Sequence, residues 1–201
     1  MLNSNSIKYS KKIMFQRVIW NILWNLTIRP FPRLIVRRWE IMVLRCLGAK
    51  IGKRCNIYPS ARILIPSNLI MEDESTLGNN TYLQNSALIH LKKRSLISQG
   101  SYLCAGSHDY TRKDFPNVRK PIVIGEDAWV TANCYIGLGV TIGEGAMVGA
   151  TASVFKDVEP WTVVGGNPAK VLKMRKIING EGGGGGGNPT SQIVSLQHLA
   201  A

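Results

Sequence analysis

The sequence predicts an all-β core, a stack of three-sided coils of short parallel strands, and three observations predict it. Aliphatic residues recur every six positions, glycine often follows them, and a small residue stands four places further on. A helix repeats at 3.6 residues and a single strand at two, so neither sustains a period of six. Short strands joined by tight corners do: three hexads close one triangular coil, and coils stack as parallel strands about 4.8 Å apart. The aliphatic residue fills the narrow interior and the small one fits the corner.

The run begins at Ile51 and steps through Ile57, Ile63 and Leu69. Two-residue slips follow, 69 to 77 and 89 to 97, so the early coils are each read as two residues longer. After an interruption at 109–120, Ile124, Val130, Ile136, Ile142, Val148 and Val154 keep the step without error. Cys55 and Cys134 occupy small-residue positions and read as corner fillers, since thiols bury well. The coil domain is drawn over 49–178, with the interruption as its loop. Residues 179–201, opening on a glycine run, read as a flexible tail.

Ahead of the coils, residues 1–48 form a basic segment with two helices over 8–48, split by "RPFPR" where prolines break the pattern. Met14, Val18, Ile22 and Leu26 make one apolar stripe; Trp20 and Trp24 widen it. Two uses are open: packing against the coils or a neighbouring subunit, or lying on anionic lipid.

Charge is uneven. The chain carries 25 Lys and Arg against 12 Asp and Glu, and residues 1–50 hold ten basic groups against Glu40 alone. A nucleic-acid binder would spread its basic residues over the folded face, whereas here basic ends flank a near-neutral body. The longest apolar run at the start, "VIWNILWNLTI", is too short to span a bilayer. Four cysteines with neither CxxC nor metal spacing suggest reduced thiols and a cytoplasmic protein, with peripheral contact on the inner membrane face as the variant.

The hexads resemble those of the left-handed parallel β-helix acyltransferases. "ISQGSYLCAGSHDY", "FPNVRKPIVIGEDAWV" and "GVTIGEGAMVGATASVFKDVEPWTVVGGNPAKVLK" are most similar to sugar O-acetyltransferases. Within these the colanic acid biosynthesis acetyltransferase group stands nearest, a likeness that extends to "RPFPR" and "LGAKIGK". The galactoside, maltose and nodulation-factor enzymes are more distant.

The resemblance implies an enzyme that uses acetyl-CoA as co-substrate and works as a homotrimer with active sites between subunits. It puts the catalytic base on His108, in "GSHD", where a neutral imidazole can take the proton of an attacking hydroxyl. Asp109 is expected to orient that imidazole or touch the acceptor, and Asn85 corresponds to an acceptor-contacting amide; a turn-capping role is its alternative. Ala132 and Ala150 match positions along the pantetheine arm, and Trp129 an aromatic beside the reacting centre. Lys156, Lys170 and Lys173 match cations for the phosphates, the last two on a short helix expected after "GGNP". His90 reads as solvated, Cys104 as a packing residue. No metal is expected, because only two of the three histidines lie in coils. The acceptor is expected to be a sugar or lipid-linked glycan in surface polysaccharide assembly. Acetylation of small free saccharides and a non-catalytic β-helix scaffold are the rival readings.

Overall fold

The structure, a computed structural model, describes residues 9–176; the glycine-rich tail lies outside them. The coils form a parallel β-helix of about six turns with three faces. The first face stacks Lys50–Ile51, Leu69–Met71, Ile89–Leu91, Ile122–Ile124 and Thr141–Ile142. The second runs from Asn56–Ile57 through Trp129–Val130 to Thr162–Gly165, and the third from Arg62–Ile63 through Tyr102–Cys104 to Ser153–Val154.

The two coil lengths are visible in the register. Ile51 pairs with Met71 and Met71 with Leu91, whereas Ile124 pairs with Ile142, so early coils hold twenty residues and late ones eighteen. The extra pair sits elsewhere than the spacing suggested. Leu69 and Met71 are both buried, and Met71 is the residue that stacks on Ile51. The coil widens before Met71, at the third-to-first corner, where Pro66–Asn68 makes a single 3-10 turn. Two residues apart on one strand share a face, so either could fill the hexad slot.

The interior is a column of aliphatic side chains at near-zero exposure, among them Leu77, Leu83, Ile97, Val130, Ile136 and Val148. Each such burial contributes about 1.5–3 kcal/mol. Cys55 and Cys134 fill corners as expected. The first-to-second corner repeats a left-handed residue in six successive coils: Arg54, Glu74, Arg94, Asp127, Gly145 and Trp161. The backbone N–H of each of the last five donates to a carbonyl of the coil below. Side-chain charge alternates over the first four positions of this ladder, with Arg54 on Glu74 and Arg94 on Asp127 and Glu126. The guanidinium partners hold the Glu74 and Asp127 carboxyls below their usual range. Glycine at 145 leaves room for the Trp161 ring, whose atoms would lie 2.6 Å from an added Cβ.

Helix α1 (Lys11–Leu23) starts at Ser10, whose hydroxyl accepts from the Ile13 N–H, and runs into a π-helical turn, Trp24–Ile28. Helix α2 (Arg33–Cys46) follows the prolines. Both pack onto the lower coils, so Trp20, Trp24, Ile28, Val36 and Leu44 share one core with Ile51 and Ile57. The tryptophans therefore face inward, and Trp20 Nε1 donates to the Ile63 carbonyl at 2.8 Å. The stripe Met14, Val18, Ile22 and Leu26 is left more than half exposed.

The segment after "GGNP" is a strand where a short helix was expected. Lys170–Met174 turns back antiparallel on Thr162–Gly165. An open sheet edge offers unpaired backbone groups, and covering that edge outweighs helix propensity over five residues.

Candidate active site

The interruption is a β-hairpin. Gly106–His108 leaves the third-to-first corner, and Asn117–Arg119 returns antiparallel, with His108 opposite Asn117. His108 is exposed, and its Nδ1 lies 2.7 Å from the Phe115 carbonyl oxygen. A carbonyl can only accept, so Nδ1 carries the proton, and in the neutral ring the lone pair is on Nε2. Phe115 aims that carbonyl from a left-handed backbone, φ 42°, which a bulky residue adopts only at a cost of order 1–3 kcal/mol. Nothing in the residue pattern pointed to Phe115.

The charged tip braces itself. Asp109 Oδ1 accepts from the Thr111 N–H at 3.0 Å and its hydroxyl at 2.6 Å, which lowers the carboxyl's pKa. Arg112 grips Asp114 through two bonds of 3.0 Å. The imidazole is thus oriented by a backbone carbonyl, where Asp109 was one candidate for that role.

Below the hairpin lies a polar cluster that sequence reasoning missed. Gln84 Nε2 donates to the Gly106 carbonyl at 3.2 Å, while its Oε1 accepts from the hydroxyl of Tyr102. The Cys104 thiol donates to the Gly106 carbonyl at 3.1 Å, so it packs and braces. Burial, with Cys104 close by, pushes the Tyr102 hydroxyl well above its ordinary range and Tyr135 up to about 12, so both stay protonated. Tyr82, Tyr102, Tyr135 and Phe155 form an aromatic row on the third face at centroid spacings of 5.1, 5.5 and 5.6 Å, stacked in the first pair, edge-to-face in the second and tilted in the third. Their spacing of 20, 33 and 20 residues straddles the hairpin, which hid the alignment.

Asn85 requires correction. It is fully buried; its Oδ1 accepts from the Ile65 N–H at 2.9 Å and its Nδ2 donates to the Ile65 carbonyl at 2.6 Å. Both ends of the amide are bonded to Ile65 inside the widened corner, and complete burial keeps the side chain away from any acceptor. His90 is also bonded, its Nε2 lying 2.7 Å from Glu72 Oε1.

The remaining candidates divide between edges. Ala132 and Ala150 stack at the second-to-third corner, joined by the Thr151 N–H donating to the Ala132 carbonyl at 2.9 Å. Lys170, opposite Gly165, continues that edge one coil higher. Trp129 points out from the second face, with Nε1 donating to Ser98 Oγ at 2.9 Å. Lys173 lines a groove of about 500 Å³ on the same face with Met147, Val163 and Lys176. Lys156 falls instead on the third-to-first edge, above His108. In a triangular prism the second face lies opposite that edge. One chain therefore does not bring His108 together with Trp129. Among the described residues no three His, Cys, Asp or Glu side chains gather to hold a metal ion.

Coils of hexads, broken once by a hairpin that presents a pinned imidazole, define a protein of the hexapeptide-repeat acyltransferase class. A model of the hexapeptide repeat of succinyl-transferase matches residues 121–156. The chain is 42% identical over 149 residues to WcaF of Escherichia coli (strain K12), designated a colanic acid biosynthesis acetyltransferase, covering 74% of this chain and 82% of that protein. It belongs to the hexapeptide-repeat acetyltransferase family. An acetyl-CoA complex of a hexapeptide-repeat acetyltransferase from Vibrio cholerae O1 biovar eltor is similar at 28% identity and TM-score 0.72, over 84% of this chain and 91% of that one. A maltose O-acetyltransferase from Clostridium difficile 630 shares the fold, at 21% identity and TM-score 0.75, over 84% and 90%.

Proposed function

We propose that this chain moves the acetyl group of acetyl-CoA onto a sugar hydroxyl during assembly of a surface polysaccharide, with His108 as general base. The observation that carries the reading is the imidazole whose Nδ1–H is held by the Phe115 carbonyl, leaving Nε2 as acceptor on an exposed hairpin. The acetyl-CoA bound by the Vibrio cholerae relative supports the donor, and the designation of WcaF supports the pathway. We place the reaction in the cytoplasm, the compartment that holds acetyl-CoA.

Nε2 takes the proton of the sugar hydroxyl as its oxygen attacks the thioester carbonyl carbon. The carbon–oxygen bond forms, the carbon–sulfur bond breaks, and the departing thiolate recovers the proton from the imidazolium. Pantetheine lies along the Ala132 and Ala150 edge, where side chains lack bulk, and the phosphates meet Lys170 and Lys173. A homotrimer brings the second face of one subunit to the His108 edge of the next, so Trp129 and Lys156 join the site from different chains.

The test is thiol release from acetyl-CoA with a panel of sugar acceptors, alongside coenzyme A binding by thermal shift. His108→Ala should lower turnover about 10²–10⁴-fold and leave coenzyme A binding intact. Full turnover in that variant removes His108 from the chemistry. A wild type with neither thiol release nor a coenzyme A shift is a scaffold. Rapid acetylation of free disaccharides would move the acceptor to small free saccharides.

A further inference from the structure

The two helices leave unpartnered the apolar side that the coils do not use. On α1 and its π-turn, Phe15, Val18, Ile22 and Leu26 are 66%, 57%, 53% and 68% exposed. On α2, Leu34 and Ile35 reach 91% and 70%. The helices are tied to each other by Trp39 Nε1, which donates to Thr27 Oγ1 at 2.9 Å. Lys11, Lys12, Arg29 and Arg38 are exposed on the same two elements and their connection. An apolar patch of this extent rimmed by cations marks an interaction surface.

We propose that this surface docks on an anionic phospholipid bilayer. Charge selects the occupant: residues 1–50 carry ten basic groups against Glu40 alone. Two copies of the face would oppose like charge to like, whereas a bilayer with anionic headgroups supplies both an apolar layer and the opposite charge. Among the described residues no helix is long and apolar enough to cross the membrane, so the contact is peripheral.

The surface is joined to the hairpin. Just ahead of α1, Tyr9 donates to Ser86 Oγ at 3.1 Å, and its ring lies between the guanidinium of Arg17, 5.2 Å from the centroid, and that of Arg119, 4.9 Å. Arg119 belongs to the hairpin's return strand. Docking α1 thus brings the His108 edge to the bilayer, where a glycan acceptor carried on a lipid is presented; this acceptor clause rests on the proposed transferase reading.

The experiment is co-sedimentation of the full chain with vesicles of phosphatidylcholine containing phosphatidylglycerol, which reads binding independently of activity. Wild type should bind at low salt, release at high salt, and ignore pure phosphatidylcholine. Lys11→Gln, Lys12→Gln and Arg38→Gln together should weaken binding about a hundredfold, at roughly fivefold per charge. Val18→Glu with Ile22→Glu should abolish it with no change of mass by light scattering. Three results overturn the proposal: no binding to anionic vesicles, equal binding to neutral ones, or a glutamate variant whose oligomer falls apart, which would assign the face to a second copy. Should the glutamate variant fail to fold, the charge variant still decides.

Discussion

Glu40 is a carboxyl placed where water does not reach. It sits on the inward side of α2, fully buried, and neither of its oxygens has a hydrogen-bond partner. Desolvation raises its pKa from 4.5 to about 7. The folded chain therefore holds a proton that the unfolded chain releases between those two values. Stability is fully present below the unfolded value and falls as pH rises through the window, then levels off above the folded value. A span of about 2.5 pH units at 1.36 kcal/mol each gives a loss of about 3 kcal/mol by pH 8. For a chain of this size that is a fall in Tm of about 6–12 °C. Glu40→Gln keeps the shape and removes the titration. Thermal unfolding of both proteins at pH 5 and pH 8, at one protein concentration, isolates the effect, because the two proteins differ at this one group alone. The variant should exceed wild type by about 1 kcal/mol at pH 5 and by about 3 kcal/mol at pH 8. Parallel pH profiles would mean that the carboxyl finds water or a cation, and the reasoning from burial would fail.

Two further outcomes bear on the site. Gly106→Ala places a Cβ 2.8 Å from Ser86 Cβ, so the hairpin root must move. Turnover should drop at least tenfold with coenzyme A binding unchanged, and adding Ser86→Gly should restore it; no rescue would trace the loss to something other than this contact. Lys170→Glu should raise the KM for acetyl-CoA more than it lowers kcat, because a phosphate contact acts equally on ground and transition states. A fall confined to kcat would place the lysine near the thioester.

The coils were legible because one inward residue per strand repeats at fixed spacing, and Ile124 through Val154 needed no side-chain detail to align. Where two residues of one strand turn inward, as Leu69 and Met71 do, spacing alone could not choose. Both sides of α1 are apolar, so composition could not tell that Trp20 and Trp24 would face the coil. The place of His108 at the break was legible, but the group bonded to its Nδ1 is a main-chain carbonyl, which leaves no trace in residue type. Asn85 misled for the converse reason: an amide that caps a buried turn and one that binds a sugar are the same residue.

The alternating corner of Arg54, Glu74, Arg94 and Asp127 bears on how such a stack finds its order. Rungs of near-identical shape could be laid down with one left out, and the aliphatic column would accept the error. Skipping a rung sets arginine against arginine, or glutamate against aspartate. The corner thus acts as a parity check, written in charge and read as each rung is added. Such a mismatch loses the ion pairs of Arg54 with Glu74 and of Arg94 with Asp127 and sets like charges side by side.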